Sequence, residues 1–238
     1  ISKARPDHII ILAATKRQDK DGKTVKEINN KITENISFAL ENFHCHVTYL
    51  SSCAVYGERN NIVFGDESLK LNPTSFYGEH KIESEEIYRK KVNPENLLIV
   101  RPPLIYSPLE KNGYSPIGFW NDALNIGKVK TWGEGEELRE FILDNDAANI
   151  IVFLIMAYQK GIINLVSGKS YAYRKIVDEI INITNARHEK IERNQDFVNH
   201  YFDNKLLNSL IGNYKFTSPL VFIKNMALLN GIKKNFYK

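Results

Sequence analysis

Short apolar runs alternate with longer amphipathic stretches along most of this chain. Residues 8–14 read His-Ile-Ile-Ile-Leu-Ala-Ala, and further apolar runs cover residues 47–50, 96–100 and 162–166. Runs of this length with few polar positions read as parallel strands buried on both faces. Between the first two, residues 25–43 place Ile28, Ile32, Ile36, Ala39 and Leu40 at helical spacing, which predicts an amphipathic helix. Residues 74–91 carry a second helical pattern through Ile82, Ile87 and Tyr88, with Thr74 and Ser75 as caps. Residues 19–24 and 57–73 are polar and read as loops. Strands alternating with helices predict an α/β fold of the doubly wound, Rossmann type. Ligands of that fold lie beyond the carboxyl ends of the parallel strands. Ser51-Ser52 and Pro102-Pro103 stand at two such ends, and the prolines stop the strand before them.

The character changes after Tyr106. Residues 109–115 are polar, 117–126 read as a short helix and 140–143 as a strand. Residues 147–158 form a strongly apolar helix suited to packing on the sheet, and 172–184 another amphipathic helix. The tail, 203–222, reads as small helices. No internal repeat or low-complexity segment is visible.

Composition narrows the class. With 238 residues, 43% hydrophobic and 25% charged, the chain has the makeup of a globular protein with a sizeable core. Its net charge of +4 comes from dispersed bases, which points away from nucleic acid and suits an anionic substrate. Cys45 and Cys53 are the only cysteines, so free thiols and a cytoplasmic location are expected. No signal peptide or membrane-spanning apolar stretch is visible, and no His/Cys/Asp/Glu cluster has metal-ligand spacing, so neither membrane nor metal is expected.

The chemistry concentrates in Tyr77-Gly78-Glu79-His80-Lys81. Residues at i and i+4 share a helix face, so the Lys81 ammonium can lie beside the Tyr77 phenol. A nearby cation favours the phenolate and brings its proton exchange towards neutral pH. Upstream, Ser51-Ser52-Cys53-Ala54-Val55-Tyr56-Gly57 sets hydroxyls at a strand end. Ser51 and Ser52 are rivals, because a slip of one residue reverses which side chain faces a site. His80 reads as a solvated helix histidine and Cys53 as a packed small side chain, and neither is given acid/base work.

Five segments occur in a meaningful order: residues 6–14, 51–57, 77–81, 101–106 (Arg-Pro-Pro-Leu-Ile-Tyr) and 133–141 (Gly-Glu-Gly-Glu-Glu-Leu-Arg-Glu-Phe). Together they resemble the extended short-chain dehydrogenases/reductases of the NAD-dependent nucleotide-sugar epimerase, reductase and dehydratase group, most weakly after residue 185. The resemblance implies a Ser-Tyr-Lys triad of Ser52, Tyr77 and Lys81, with Ser52 selected by its distance from Tyr56. It implies that Lys81 lowers the phenol pKa and bonds the nicotinamide ribose. Cofactor contacts would come from Ala13, Ala14, Lys16, Asn29, Tyr77, Lys81 and Pro102. Substrate contacts would come from Ser52, Cys53, Arg139 and Arg193, the arginines on a diphosphate. The alternatives for the arginines are surface ion pairs, Arg139 with Glu136 or Glu140 and Arg193 with Asp196.

The family opens with a strand and a Gly-rich turn that anchors the cofactor pyrophosphate. Here the first glycine is Gly22, and the closest pair is Gly133 and Gly135. Residues 6–14 resemble the family's fourth strand. Two to three strand–helix units therefore have no counterpart, and a chain without that anchor is expected to bind dinucleotide poorly. The implied organisation is a partial dinucleotide-binding domain over residues 1–106 and a smaller, interleaved substrate lobe over 107–238. Dehydratases of the group carry acidic residues after the serine, where this chain has Cys53 and Ala54. The resemblance therefore implies a nucleotide-sugar 4-epimerase using NAD, with NADP as the other cofactor choice. The alternatives are a 4-keto nucleotide-sugar reductase and a non-catalytic dinucleotide-binding protein. A homodimer through the helices at 25–43 and 74–91 is implied as well.

Overall fold

The apolar runs pair in parallel, and helices cover both faces of the sheet they form. The computed structural model describes residues 6–15, 21–41, 43–110, 113–193 and 197–232. In chain order the elements are β1 His8–Ile11, α1 Gly22–Leu40, β2 His46–Leu50, β3 Ile62–Gly65, α2 Phe76–Lys91, β4 Leu97–Arg101, β5 Leu104–Tyr106, α3 Pro116–Ile126 and β6 Lys128–Trp132. They continue as β7 Leu138–Leu143, α4 Asp144–Met156, β8 Gly161–Asn164, β9 Ser170–Ala172, α5 Tyr173–Thr184, β10 Arg187–Ile191, β11 Asn199–Phe202, α6 Lys205–Ile211 and α7 Pro219–Leu229. Two short 3-10 turns complete them, Cys53–Tyr56 after β2 and Pro94–Asn96 before β4.

The main sheet is parallel throughout, in the order β1-β2-β4-β8. The sequence of β4 explains its central place. Its alternate residues Leu97 and Ile99 enter a cluster with Val47, Tyr49 and Tyr88 on the side of α1 and α2. Leu98 and Val100 point the other way, into a cluster with Ile150, Leu154, Ile163 and Leu207 beneath α4 and α6. A strand apolar at every position can only be satisfied by two covered faces, each buried aliphatic side chain contributing about 1.5–3 kcal/mol. This is the doubly wound α/β fold expected from the sequence. The residues after Tyr106 interleave with it: α3, α5 and α7 enclose a separate cluster around Trp120, Ile176 and Ile223, while β8 returns to the main sheet. No helix among the described residues is long and apolar enough to cross a membrane.

Several details differ from the sequence reading. β1 stops at Ile11, and Leu12, Ala13 and Ala14 are exposed beyond it. α1 begins at Gly22, inside the expected loop, because the Asp21 carboxylate accepts the Thr24 amide at 3.0 Å. Its buried stripe is polar: Asn29, Thr33 and Ser37 face inward, Ile28, Ile32 and Ile36 are half-buried, and Ala39 is exposed. The polar stripe has partners, since Thr33 Oγ1 lies 2.8 Å from Ser84 Oγ of α2. The short strands β3, β5, β6, β9, β10 and β11 were not expected. β10 reads Arg-His-Glu-Lys-Ile and becomes a strand only by pairing in parallel with β6, where Glu189 meets Lys128 at 2.7 Å and Lys130 at 3.4 Å.

Candidate active site

The carboxyl ends of β1, β2 and β4 open into a cleft of about 900 Å³, closed on its other side by Glu110, Tyr114, Ser115 and Phe141. The N-terminus of α2 enters it. Ser75 caps that helix by accepting the Gly78 amide at 3.1 Å, which starts α2 just before Tyr77. Tyr77 keeps 37% of its surface exposed, whereas Lys81, one turn on, keeps 5%. The Lys81 ammonium donates to the Leu50 carbonyl at 2.8 Å and lies 5.0 Å from the Tyr49 ring centre and 5.7 Å from that of Tyr77. Ser52 lines the same cleft as Tyr77 and acts to lower the pKa of its phenol.

The phenol does not follow the expectation that Lys81 lowers its pKa. Burial pushes Tyr77 above its ordinary value, and Ser52 only partly opposes this. Lys81 is turned towards the Leu50 carbonyl.

Both serines line the cleft, and burial and partners separate them. Ser51 is 2% exposed and donates to Glu85 Oε1 at 2.5 Å. Ser52 is half-buried, lines the cleft and accepts the Ala54 amide at 3.2 Å. Glu85 and Arg101 are each 1% exposed and form a bidentate pair, Nε to Oε1 at 2.9 Å and Nη2 to Oε2 at 2.6 Å. Burial works against the Arg101 charge, but the carboxylate outweighs it and holds the guanidinium above its ordinary pKa. The sequence reading missed this pair. Glu85 follows Lys81 at the spacing by which Lys81 follows Tyr77, and that helical stripe was the available signal.

Gly78 was also missed. A Cβ there would stand 2.6 Å from the Ala54 carbonyl oxygen and 2.9 Å from Pro73 Cβ, so its absence lets Tyr77 approach the turn that carries Ser52. Gly78→Ala is expected to cost about 1–3 kcal/mol by overpacking and to lower activity along with it. Wild-type activity at full stability would show that the approach is not needed.

The remaining cofactor residues divide. Asn29, 1% exposed, accepts the Thr15 amide at 2.7 Å and donates to its carbonyl at 3.1 Å, fixing the segment after β1. Ala14 and Pro102 line the cleft; Ala13 is exposed outside that lining. Lys16 lies outside the described residues. Cys53 is not a substrate contact. It is 3% exposed, packs with Val55, Tyr56, Val166 and Phe202, and donates to the Arg101 carbonyl at 3.3 Å.

His80 is not solvated either. It is 1% exposed, with Nδ1 at 3.3 Å from both Asn30 Oδ1 and Ser84 Oγ, and burial with the Lys81 charge pushes its pKa down to about 4. Below its ordinary 6.5 the unfolded chain gains a proton that the native state refuses, down to about pH 4. Acidification from pH 7 to 4 is therefore expected to cost about 3 kcal/mol from this residue. Urea unfolding across that range should show a shallower pH dependence for His80→Asn than for wild type, and equal slopes would refute the assignment.

Arg139 and Arg193 are brought together, but on a partner not foreseen. Both meet the buried Glu137, Arg139 Nη2 at 3.3 Å and Arg193 Nη1 at 2.7 Å. Glu136 is not that partner. Glu140 accepts the Ser167 and Gly168 amides at 2.5 and 2.8 Å, and Asp196 lies outside the described residues. Arg193 also donates to the Trp132 carbonyl at 3.4 Å, and the Trp132 ring stacks at 4.2 Å on Tyr114 of the cleft wall.

Among the described residues no group of three or more His, Cys, Asp or Glu could hold a metal ion. The cleft suits the nicotinamide half of a dinucleotide. It offers a small side chain at Ala14, a buried ammonium at Lys81 and an exposed phenol at Tyr77.

Residues 1–166 match the NAD dependent epimerase/dehydratase family. The chain belongs to that family. It is an enzyme of the NAD-dependent nucleotide-sugar group of extended short-chain dehydrogenases/reductases. GDP-6-deoxy-D-talose 4-dehydrogenase of Aggregatibacter actinomycetemcomitans is 26% identical over 238 residues, which cover 95% of this chain and 80% of that protein. ADP-L-glycero-D-manno-heptose-6-epimerase of Helicobacter pylori shares the fold with a TM-score of 0.81 at 18% identity, over 97% of this chain and 74% of that one. UDP-glucuronic acid 4-epimerase of Bacillus cereus, in complex with UDP-glucuronic acid and NAD, does so with a TM-score of 0.77 at 19% identity, over 92% and 76%.

Proposed function

We propose that this enzyme interconverts carbinol and ketone at carbon 4 of a nucleotide sugar and works as a 4-epimerase. The observation that carries the reading is that Ser52, Tyr77 and Lys81 line one cleft, with the Lys81 ammonium 5.7 Å from the Tyr77 ring centre. Bound NAD supplies the hydride acceptor and donor. Tyr77 takes the proton of the substrate hydroxyl and returns it to the ketone oxygen. Ser52 donates to the same oxygen and steadies the change from alkoxide to ketone. Lys81 keeps positive charge beside the phenolate and is placed to bond the nicotinamide ribose. Asn29 holds the Thr15 backbone where the cofactor crosses β1. Dehydration is disfavoured because Cys53 is buried and Ala54 has no acid to remove a second proton.

Arg139 and Arg193 would grip the diphosphate from the lobe after Tyr106, which makes residues 107–238 the substrate side. A homodimer through α1 and α2 fits the 73% exposed Phe38 on α1; a monomer by light scattering at micromolar concentration would exclude it. A second reading, a 4-keto sugar reductase, is favoured by the relative named as a 4-dehydrogenase.

The test is the mass and spectrum of the dinucleotide that copurifies, followed by addition of UDP-sugars. Retained NAD with a C4-inverted product and no net reduction is the expected result. Net consumption of NAD(P)H with a 4-keto sugar would replace epimerase by reductase. No turnover, unchanged in Tyr77→Phe, would overturn both.

A further inference from the structure

Tyr77, Lys81 and Glu85 follow one another at four-residue spacing, so α2 presents them as one stripe. The first two face the cleft. The third is shut away from solvent and turned onto the end of β2. Its carboxylate accepts from Ser51 Oγ at 2.5 Å and from Arg101 Nε and Nη2 at 2.9 and 2.6 Å. Arg101 Nη1 donates on to the Tyr56 hydroxyl at 3.1 Å, which donates to Asn164 Oδ1 at 2.6 Å. The network thus closes around residues 51–56.

Ser52 sits inside that closure, with both neighbours fixed. The Ser51 amide donates to the Val100 carbonyl and the Cys53 amide to the Pro102 carbonyl, each at 2.8 Å. Ser52 itself is extended, with φ −162° and ψ 151°, so its side chain points opposite to those of its neighbours. With the Ser51 hydroxyl taken by Glu85, Ser52 stays half-buried at the cleft, where its oxygen accepts the Ala54 amide. An ion pair this deeply buried contributes little that an apolar pair of equal volume would not. What apolar side chains cannot supply is a directed acceptor for Ser51.

We propose that Glu85 is a positioning residue, holding the Ser51 hydroxyl so that the Ser52 hydroxyl meets Tyr77. This rests on the reading of the cleft as a proton-transfer site. Replacing Glu85 alone strands the Arg101 charge, so the link is cut in two other ways. Ser51→Ala removes the hydroxyl and leaves the ion pair. The double variant Glu85→Leu with Arg101→Met removes the acceptor and leaves no unpaired charge.

The full chain and these variants, with Tyr77→Phe as control, are assayed with GDP-6-deoxy-D-talose and NAD for C4 inversion as well as for NAD reduction. Hydrogen exchange is followed in parallel at the amides of residues 52–56 and of β8. Both link-cutting variants are expected to lose about 10- to 100-fold in kcat. The sugar KM should hold within about twofold, and exchange should quicken at 52–56 but not in β8. Wild-type kcat in folded Ser51→Ala, with Tyr77→Phe inactive, overturns the positioning role and leaves the proton-transfer reading intact. Wild-type kcat in Tyr77→Phe overturns that reading and the proposal with it. If the unaltered chain does not turn over this sugar, exchange decides alone: unchanged protection at 52–56 in both variants overturns the proposal.

Discussion

Replacing Tyr77 by phenylalanine is expected to lower kcat by about 100- to 10,000-fold, the range for losing a positioned acid/base group. The fold should be untouched. Tyr77 is 37% exposed, and only its hydroxyl is removed. Lys81 keeps its bond to the Leu50 carbonyl and its place over the Tyr49 ring. Substrate KM should therefore change little while kcat collapses, the pattern of an interaction made in the transition state. Because burial holds the phenol above its ordinary pKa, turnover in the oxidising direction should rise with pH across the whole accessible range. Flat pH dependence in wild type, or a Tyr77→Phe variant within a few-fold of wild type, would remove Tyr77 from the proton path.

Arg101→Met is expected to be the most destabilising of the single changes considered, at about 3–5 kcal/mol. The Glu85 carboxylate would remain at 1% exposure without the guanidinium that now meets both of its oxygens. Arg89 offers one contact at 3.3 Å from a half-exposed position, too little to replace a bidentate partner. Tyr56 would lose its donor as well. Changing Glu85 to leucine in the same chain should recover much of the loss, since no unpaired charge is then left inside. Urea unfolding of the wild type and the two variants measures this directly. An Arg101→Met variant within 1 kcal/mol of wild type, a threshold typical of ordinary substitutions, would mean that the pair is reached by water.

How much could be read beforehand depended on how local each signal was. β4 was legible because Leu97 to Val100 are all apolar, and only a strand covered on both faces satisfies such a run. α2 and its Tyr77–Lys81 pair were legible because i, i+4 spacing is a property of the helix alone. β10 and β11 were not: Arg-His-Glu-Lys-Ile and Asn-His-Tyr-Phe become strands through partners at Lys128–Trp132 and Ile62–Gly65, far away in the chain. His80 misled for the same reason. A histidine on a lysine- and glutamate-rich helix reads as solvated until α1 supplies Asn30 against it. In α1 the isoleucines promised the buried stripe, yet Asn29, Thr33 and Ser37 took it, because α2 offers Ser84 to Thr33 and the segment after β1 needs the amide of Asn29.

The sequence by itself determined the parallel α/β architecture, the two ends of the cleft and the residues able to carry a proton. Each follows from short-range periodicity or from the chemistry of one side chain. Tertiary structure alone decided that the Ser51 hydroxyl is spent on Glu85 while Ser52 stays half-buried at the cleft, and that Cys53 is buried. It also decided that Arg139 and Arg193 converge on Glu137 and that Glu85 and Arg101 share a dry interior beneath the site. Those outcomes depend on which groups distant in the chain come within hydrogen-bonding reach once water is excluded, and local spacing along a chain does not contain that.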